Sequence, residues 1–291
     1  MINNAPYSRI IAGTMTWGSW GKQLSKAEMI DLMHHCIELG ISTFDHADIY
    51  GGYSTEAEFG NAFEDSRIPR EKLQLISKGG IQMVSKNRKT KLKHYDYSKE
   101  HVIWSVEQSL KNLKTDYLDL LLLHRPSPLI NPEEIGEALM KLKEAGKIKD
   151  IGVSNFTPSQ IAILETVLPI SANQVEFSLT QNSAMNDGSL DDCIANKRMS
   201  MAWSPLGSFF RVDDDQVARI KKAIQPLSKK YAATEGQLLL AWLLRHPAII
   251  FPVAGTTSKD RLAKSLDAMK IELELEDWFL LLEASTGHEV A

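Results

Sequence analysis

The chain has 291 residues, with 33 Lys plus Arg against 37 Asp plus Glu, which gives a formal charge of −4. It is long enough to bury a core without staples, and it is too near neutrality to carry the basic footprint of a nucleic-acid binder. Its two cysteines, Cys36 and Cys193, lie far apart in sequence and indicate neither a disulfide framework nor a cysteine metal site.

Short apolar runs alternate with longer amphipathic ones. Arg9 to Ala12 reads as a first strand. Lys26 to Leu39 has apolar residues at helical spacing and stops at Gly40. Ile41 to Asp45 is a strand, Glu56 to Glu64 a short helix, and Leu73 to Ser77 a strand. The basic stretch Lys86 to Lys93 reads as a solvated loop. Ser98 opens a helix to about Leu113 with Val102, Ile103, Val106 and Leu110 on one face. Tyr117 to Leu123 is strongly apolar, as expected of a strand covered on both faces.

The alternation continues to the end of the chain. Helices are expected at Glu133 to Ala145, Ser159 to Val167, Ser189 to Ala195, Gln216 to Tyr231, Glu235 to Arg245 and Lys259 to Ala268. Strands are expected at Ile148 to Val153, Ala172 to Phe177, Met199 to Trp203 and Ile249 to Val253. Glu276 to Glu283 is an extra C-terminal helix. Eight strands, mostly followed by helices, predict a parallel sheet closed into a (β/α)8 TIM barrel. An open doubly wound sheet is disfavoured because the first strand-helix turn, Gly13 to Gly18, lacks the dinucleotide glycine fingerprint. No linker divides the chain, so residues 1–291 are expected to form one domain. Met1 to Arg9 holds no apolar stretch of signal-peptide length. The longest apolar block in a helix-like segment, Leu238 to Leu244, is far short of a bilayer span. A soluble cytoplasmic protein, without membrane or nucleic-acid partners, is the expectation.

In a barrel, chemistry sits at the carboxyl ends of the strands. Asp45, Lys78 and His124 close the second, third and fourth strands, and Tyr50 follows Asp45 on the same rim. Asp and Lys after apolar runs are costly to bury unless they satisfy each other. A nearby ammonium stabilises phenolate and lowers the pKa of a tyrosine. An imidazole can donate to a carbonyl oxygen. Together the four residues suit proton delivery to a carbonyl as hydride reaches its carbon. No metal is needed for that chemistry.

The stretch Asp45-x-Ala47-x-x-Tyr50, then Ser77-Lys78, Leu122-Leu123-His124 and Gly152-Val153-Ser154-Asn155-Phe156 form an ordered series. Asn173-Gln174-Val175-Glu176, Trp203-Ser204-Pro205-Leu206-Gly207 and Gly255-Thr256-Thr257-Ser258-x-x-Arg261 extend it. In order and spacing this resembles the aldo-keto reductase superfamily over about residues 9 to 270. The Trp203 block and His124-Arg125-Pro126-x-Pro128 look most like its bacterial oxidoreductase branch, and also resemble the β-subunits of potassium channels.

The resemblance implies an NADPH-dependent reductase of aldehydes or ketones, with NADPH/NADP+ rather than NADH as cofactor and a small carbonyl compound as substrate. It implies Tyr50 as general acid, completed by Asp45, Lys78 and His124. It assigns Ser154, Asn155 and Gln174 to the nicotinamide carboxamide, Trp203 to its ring, and Ser204, Pro205, Leu206 and Gly207 to the pyrophosphate. Thr257 and Arg261 would meet the adenosine 2′-phosphate, and the run Gly255-Thr256-Thr257 can offer the cofactor backbone N–H groups at a helix start. Thr16 and Trp17 would lie beside cofactor and substrate, with Asp45 also near the cofactor. Trp17, Trp20, Tyr50, His124 and Phe209 are the expected substrate wall. Three departures stand out: Met15 replaces a usual glycine, Gly255 a common lysine, and Lys264-Ser265 a common Glu-Asn. A nicotinamide-binding regulatory protein is the alternative from another class. A phosphosugar isomerase or aldolase on the same barrel is a third reading, since fold alone does not fix function. Nothing in the sequence marks an oligomer interface.

Overall fold

The computed structural model describes residues 7–291. Met1 to Pro6, most of the stretch read above for targeting signals, lie outside the described residues. In chain order the elements are β1 (Ile11–Gly13), α1 (Lys26–Glu38), β2 (Thr43–Asp45), α2 (Thr55–Ser66), β3 (Gln74–Gly79), β4 (Ile81–Gln82), β5 (His94–Tyr95) and α3 (Lys99–Leu113). Next come β6 (Leu118–Leu123), α4 (Pro132–Glu144), β7 (Ile148–Ser154), α5 (Pro158–Leu164), β8 (Ala172–Glu176), α6 (Ser189–Ala195) and β9 (Met199–Trp203). The chain ends with α7 (Asp215–Lys230), α8 (Glu235–Leu244), β10 (Phe251–Ala254), α9 (Lys259–Asp267) and α10 (Leu275–Thr286).

Strands β1, β2, β3, β6, β7, β8, β9 and β10 form a closed barrel, shut by the parallel pairs Ile11↔Val253 and Ala12↔Ala254. The expected (β/α)8 architecture with an extra C-terminal helix is what is found. The helix starts follow side-chain chemistry. Ser25, Thr157 and Thr234 each accept a backbone N–H three residues on, and Glu28, Gln160 and Gln237 reach back in reciprocal capping boxes.

Strand alternation sets the two sides of the wall. Ile11, Ile76, Leu120, Leu122, Ala172, Met199, Met201, Phe251 and Val253 share a core cluster inside the barrel. Their neighbours Phe44, Leu75, Leu121, Leu123 and Val153 belong to the cluster packed under the helices. Two further residues along the inward parity, the apolar filling gives way to polar side chains. Ile76 leads to Lys78, Leu122 to His124, Ala172 to Gln174 and Met201 to Trp203. The sheet register therefore gathers these residues in one layer at the carboxyl mouth.

Two points of the element reading change. The last barrel strand begins at Phe251 rather than Ile249, because Ile249 has φ of 52° and its N–H bonds back to His246 O. A left-handed β-branched residue cannot extend a strand. The stretch after β3 is not plain loop: β4 and β5 pair antiparallel, Ile81 with Tyr95 and Gln82 with His94. Most of Lys86 to Lys93 is solvated, but the Arg88 guanidinium stacks on Tyr53 and Trp104, 4.4 Å from each ring centre. Cys36 and Cys193 are buried free thiols. Among the described residues no helix is long and apolar enough to cross a membrane.

Candidate active site

Lys78 is the hub of the mouth. Its Nζ donates to Asp45 Oδ2 at 2.7 Å, to His46 O at 2.8 Å and to Tyr50 OH at 3.1 Å. All three donor positions of the ammonium are filled, and Lys78 is 1% exposed. The second oxygen of Asp45 accepts from Gln174 Nε2 at 2.9 Å. The carboxylate is thus held from two strands. Below it, Thr14 donates its hydroxyl proton to Asp45 O, so His46 Nδ1 must be the donor toward Thr14 Oγ1 at 2.9 Å. Burial depresses the His46 pKa to about 3, with Lys78 adding to the effect, so this ring is neutral structural support.

The electrostatics follow from enclosure. Burial favours a neutral amine at Lys78, but Asp45 and then Tyr50 outweigh it and raise its pKa. For Tyr50, burial around the hydroxyl is the largest influence and raises the phenol pKa, while Lys78 is the largest influence opposing it. The expected lowering by Lys78 is present but outweighed here, so the phenol carries its proton at neutral pH. The His124 ring stands 6.3 Å from the Tyr50 ring at 81°. Burial, then the positive charges of Lys78, Arg125 and Lys93, push its pKa well down, so it is a neutral imidazole.

Around this group lies a second polar set. Trp203 Nε1 donates to Asn155 Oδ1 at 2.9 Å, and Asn155 Nδ2 donates to Ser154 Oγ at 2.7 Å. Ser154 Oγ and the Asn155 N–H both donate to Gln174 O at 2.9 Å. The Gln174 side-chain oxygen accepts no hydrogen bond within the described residues. The indole of Trp203 is half-buried with its orientation fixed. Beyond it, Ser204 and Gly207 have φ of 50° and 55°. A Cβ on Gly207 would lie 1.9 Å from Thr180 Oγ1, so the Ser204 to Gly207 turn is seated against the β8 loop in a way only glycine allows. Thr16 Oγ1 donates to Gly255 O at 2.9 Å and ties the first loop to the last. A Cβ on Gly255 would meet open space, so packing does not require glycine there. Ser258 caps α9, and the exposed Arg261 guanidinium makes no hydrogen bond or ion pair within the described residues.

These groups fit a nicotinamide dinucleotide. A flat indole suits a flat ring, side-chain amides and hydroxyls suit a carboxamide, and a free guanidinium beside a helix N-terminus suits a phosphate.

Two expected wall residues are elsewhere. Trp17 is 1% exposed, packed edge-on to Phe44 at 6.0 Å and tilted against Phe59 at 5.9 Å in the core between barrel and helices. Phe209 is 1% exposed in the core cluster under α7 and α8. Both are apolar residues beside a polar mouth, and burial wins. Trp20 does face the rim, with its ring 6.2 Å from that of Tyr50. Sequence reasoning missed the Gln174–Asp45 bond and a buried acidic pair, Asp48 and Glu56. The cue for the pair is Asp48 itself, which lies inside the Asp45 to Tyr50 stretch.

The model of the Aldo/keto reductase family matches residues 9–285. The chain is 41% identical over 296 residues to the uncharacterized oxidoreductase YcsN of Bacillus subtilis, covering 100% of this chain and 98% of that protein. It is 38% identical over 290 residues to a 6-dehydroglucose reductase of Agrobacterium fabrum, covering 98% and 96%. A crystal structure of an aldo/keto reductase from Klebsiella pneumoniae in complex with NADP and acetate superposes with a TM-score of 0.78 at 26% identity, covering 94% and 90%.

Proposed function

The chain belongs to the aldo/keto reductase family and is an NAD(P)H-dependent oxidoreductase, and on that premise we propose that it reduces aldehydes or ketones to alcohols with Tyr50 as the acid. The observation that carries the reading is the bonding of Lys78 to both Asp45 and Tyr50 at the carboxyl mouth of the barrel, with a neutral His124 beside it. We assign residues 1–291 to one domain, because both halves of the chain contribute to this mouth.

When bound, the reduced nicotinamide supplies hydride to the carbonyl carbon. The Tyr50 hydroxyl gives its proton to the carbonyl oxygen as negative charge develops there. The phenolate left behind is stabilised by the Lys78 ammonium, in hydrogen-bond contact and shielded from water. Asp45 keeps Lys78 charged and placed, and Gln174 keeps Asp45 placed. His124, neutral, orients the carbonyl oxygen toward Tyr50 without competing as the stronger acid. The proton returns to Tyr50 from solvent after product leaves. Ser154, Asn155, Gln174 and Trp203 hold the nicotinamide, and Thr256, Thr257 and Arg261 hold the far phosphate. NADPH is the preferred form because Arg261 is a free bidentate partner for a 2′-phosphate. The Klebsiella relative, described with NADP, supports that preference.

The test is Tyr50→Phe. It removes one oxygen and should keep NADPH affinity while losing at least about 100-fold in turnover of a generic aldehyde, the range of a general acid. Unchanged turnover would remove Tyr50 from the mechanism.

A further inference from the structure

The residue after His124 is an arginine with no ion pair among the described residues. The Arg125 backbone is clamped by Tyr97, whose hydroxyl donates to Arg125 O at 2.6 Å and accepts from Arg125 N at 3.1 Å. The Arg125 side chain is half-buried and forms no hydrogen bond or ion pair within the described residues. Its guanidinium lies 5.5 Å from the ring centre of Trp203, an indole itself pinned by Asn155. Arg125 thus bridges the two halves of the mouth, from His124 on one side to Trp203 on the other.

Lys93, near β5, is likewise free of any carboxylate among the described residues. The charges acting on the His124 imidazole are those of Lys78, Arg125 and Lys93, all positive. The largest charge influences on Tyr50 are Lys78, then Asp45, then Arg125. Asp45 pairs with Lys78, while Arg125 and Lys93 pair with no carboxylate among the described residues. A half-buried guanidinium whose fork is free offers a bidentate site to a carboxylate.

We propose that Arg125, assisted by Lys93, is a specificity-determining residue that selects short-chain aldehydes or ketones bearing a carboxylate. The inference rests on the reductase reading given above. The carbonyl oxygen lies between Tyr50 and His124, and the carboxylate is paired with the Arg125 fork against Trp203.

The experiment compares succinic semialdehyde with butanal, of matched chain length and differing in the carboxylate, for the parent enzyme, Arg125→Gln and Arg125→Lys. The parent should favour the charged aldehyde in kcat/KM by about 10- to 100-fold, the worth of a charge-assisted hydrogen bond. Arg125→Gln should collapse that ratio toward one through KM, and Arg125→Lys should restore part of it. A merely structural role would lower both aldehydes together and leave the ratio standing, which overturns the proposal, as does a parent ratio near one. Absence of turnover with either aldehyde and either cofactor counts against the reductase reading instead. Carboxylate recognition is then read by calorimetric binding of 4-hydroxybutyrate. Binding weakened at least tenfold in Arg125→Gln supports the proposal, and equal affinity refutes it.

Discussion

Asp48→Asn probes a carboxyl group that the fold buries without a salt bridge among the described residues. Asp48 is 6% exposed, with Oδ2 accepting from Ser105 Oγ at 3.2 Å and Oδ1 without a partner. Glu56 is 2% exposed, its Oε1 accepting from Ser77 Oγ at 2.6 Å and its Oε2 without a partner. Burial first, and the Glu56 charge second, raise the Asp48 pKa from 3.8 to about 8. The folded state therefore holds this proton more tightly than the unfolded chain does. The associated stability is complete below the unfolded value near 4 and is lost as pH rises to about 8. One pKa unit is about 1.4 kcal/mol, so the parent should lose about 4 kcal/mol from this group between about pH 5 and pH 8. The carboxamide of the variant is neutral throughout and escapes that loss. The unpartnered amide it introduces costs about 1–3 kcal/mol, but independently of pH. Urea unfolding followed by tryptophan fluorescence should show the variant gaining on the parent steadily across that range. Parallel stability profiles for the two proteins would mean that Asp48 ionises in the fold as an ordinary carboxylate, and the reasoning about its burial would be wrong.

Two further expectations concern the rim. Arg261→Ala should raise the Kd for NADPH by about 10-fold or more while leaving that for NADH within about twofold, since only the former offers a 2′-phosphate to a charge-assisted fork. Equal losses for both cofactors, measured by fluorescence titration, would place Arg261 elsewhere. Trp17→Ala should cost about 3–5 kcal/mol of stability in thermal or urea unfolding, the effect of a cavity in a packed core. Its cofactor affinity should stay near that of the parent, and a selective loss of NADPH binding would return Trp17 to the mouth.

Much of the barrel was legible because strands and helices differ in apolar period. The runs at Leu118–Leu123 and Leu238–Leu244, and the cap at Ser98, were visible as local patterns. So was the position of Asp45, Lys78 and His124 at strand ends; for Lys78 and His124, alternation makes the residue two beyond an inward apolar one face inward too. Ile249 was misread as strand because its left-handed turn depends on a bond back to His246. The β4–β5 hairpin was missed because two-residue strands carry no period to detect.

The sequence by itself thus determined the alternation of elements, the closing of the count at eight strands and the polar residues that cap the barrel, since each is a property of neighbours along the chain. Tertiary structure alone decided which of those residues touch. It sent Trp17 and Phe209 into the helix-facing core, joined Gln174 to Asp45 across 129 positions, and left Arg125 over Trp203 without an anion. Burial, pairing and pKa depend on the whole enclosure around a group, and that enclosure exists only once distant strands stand in register.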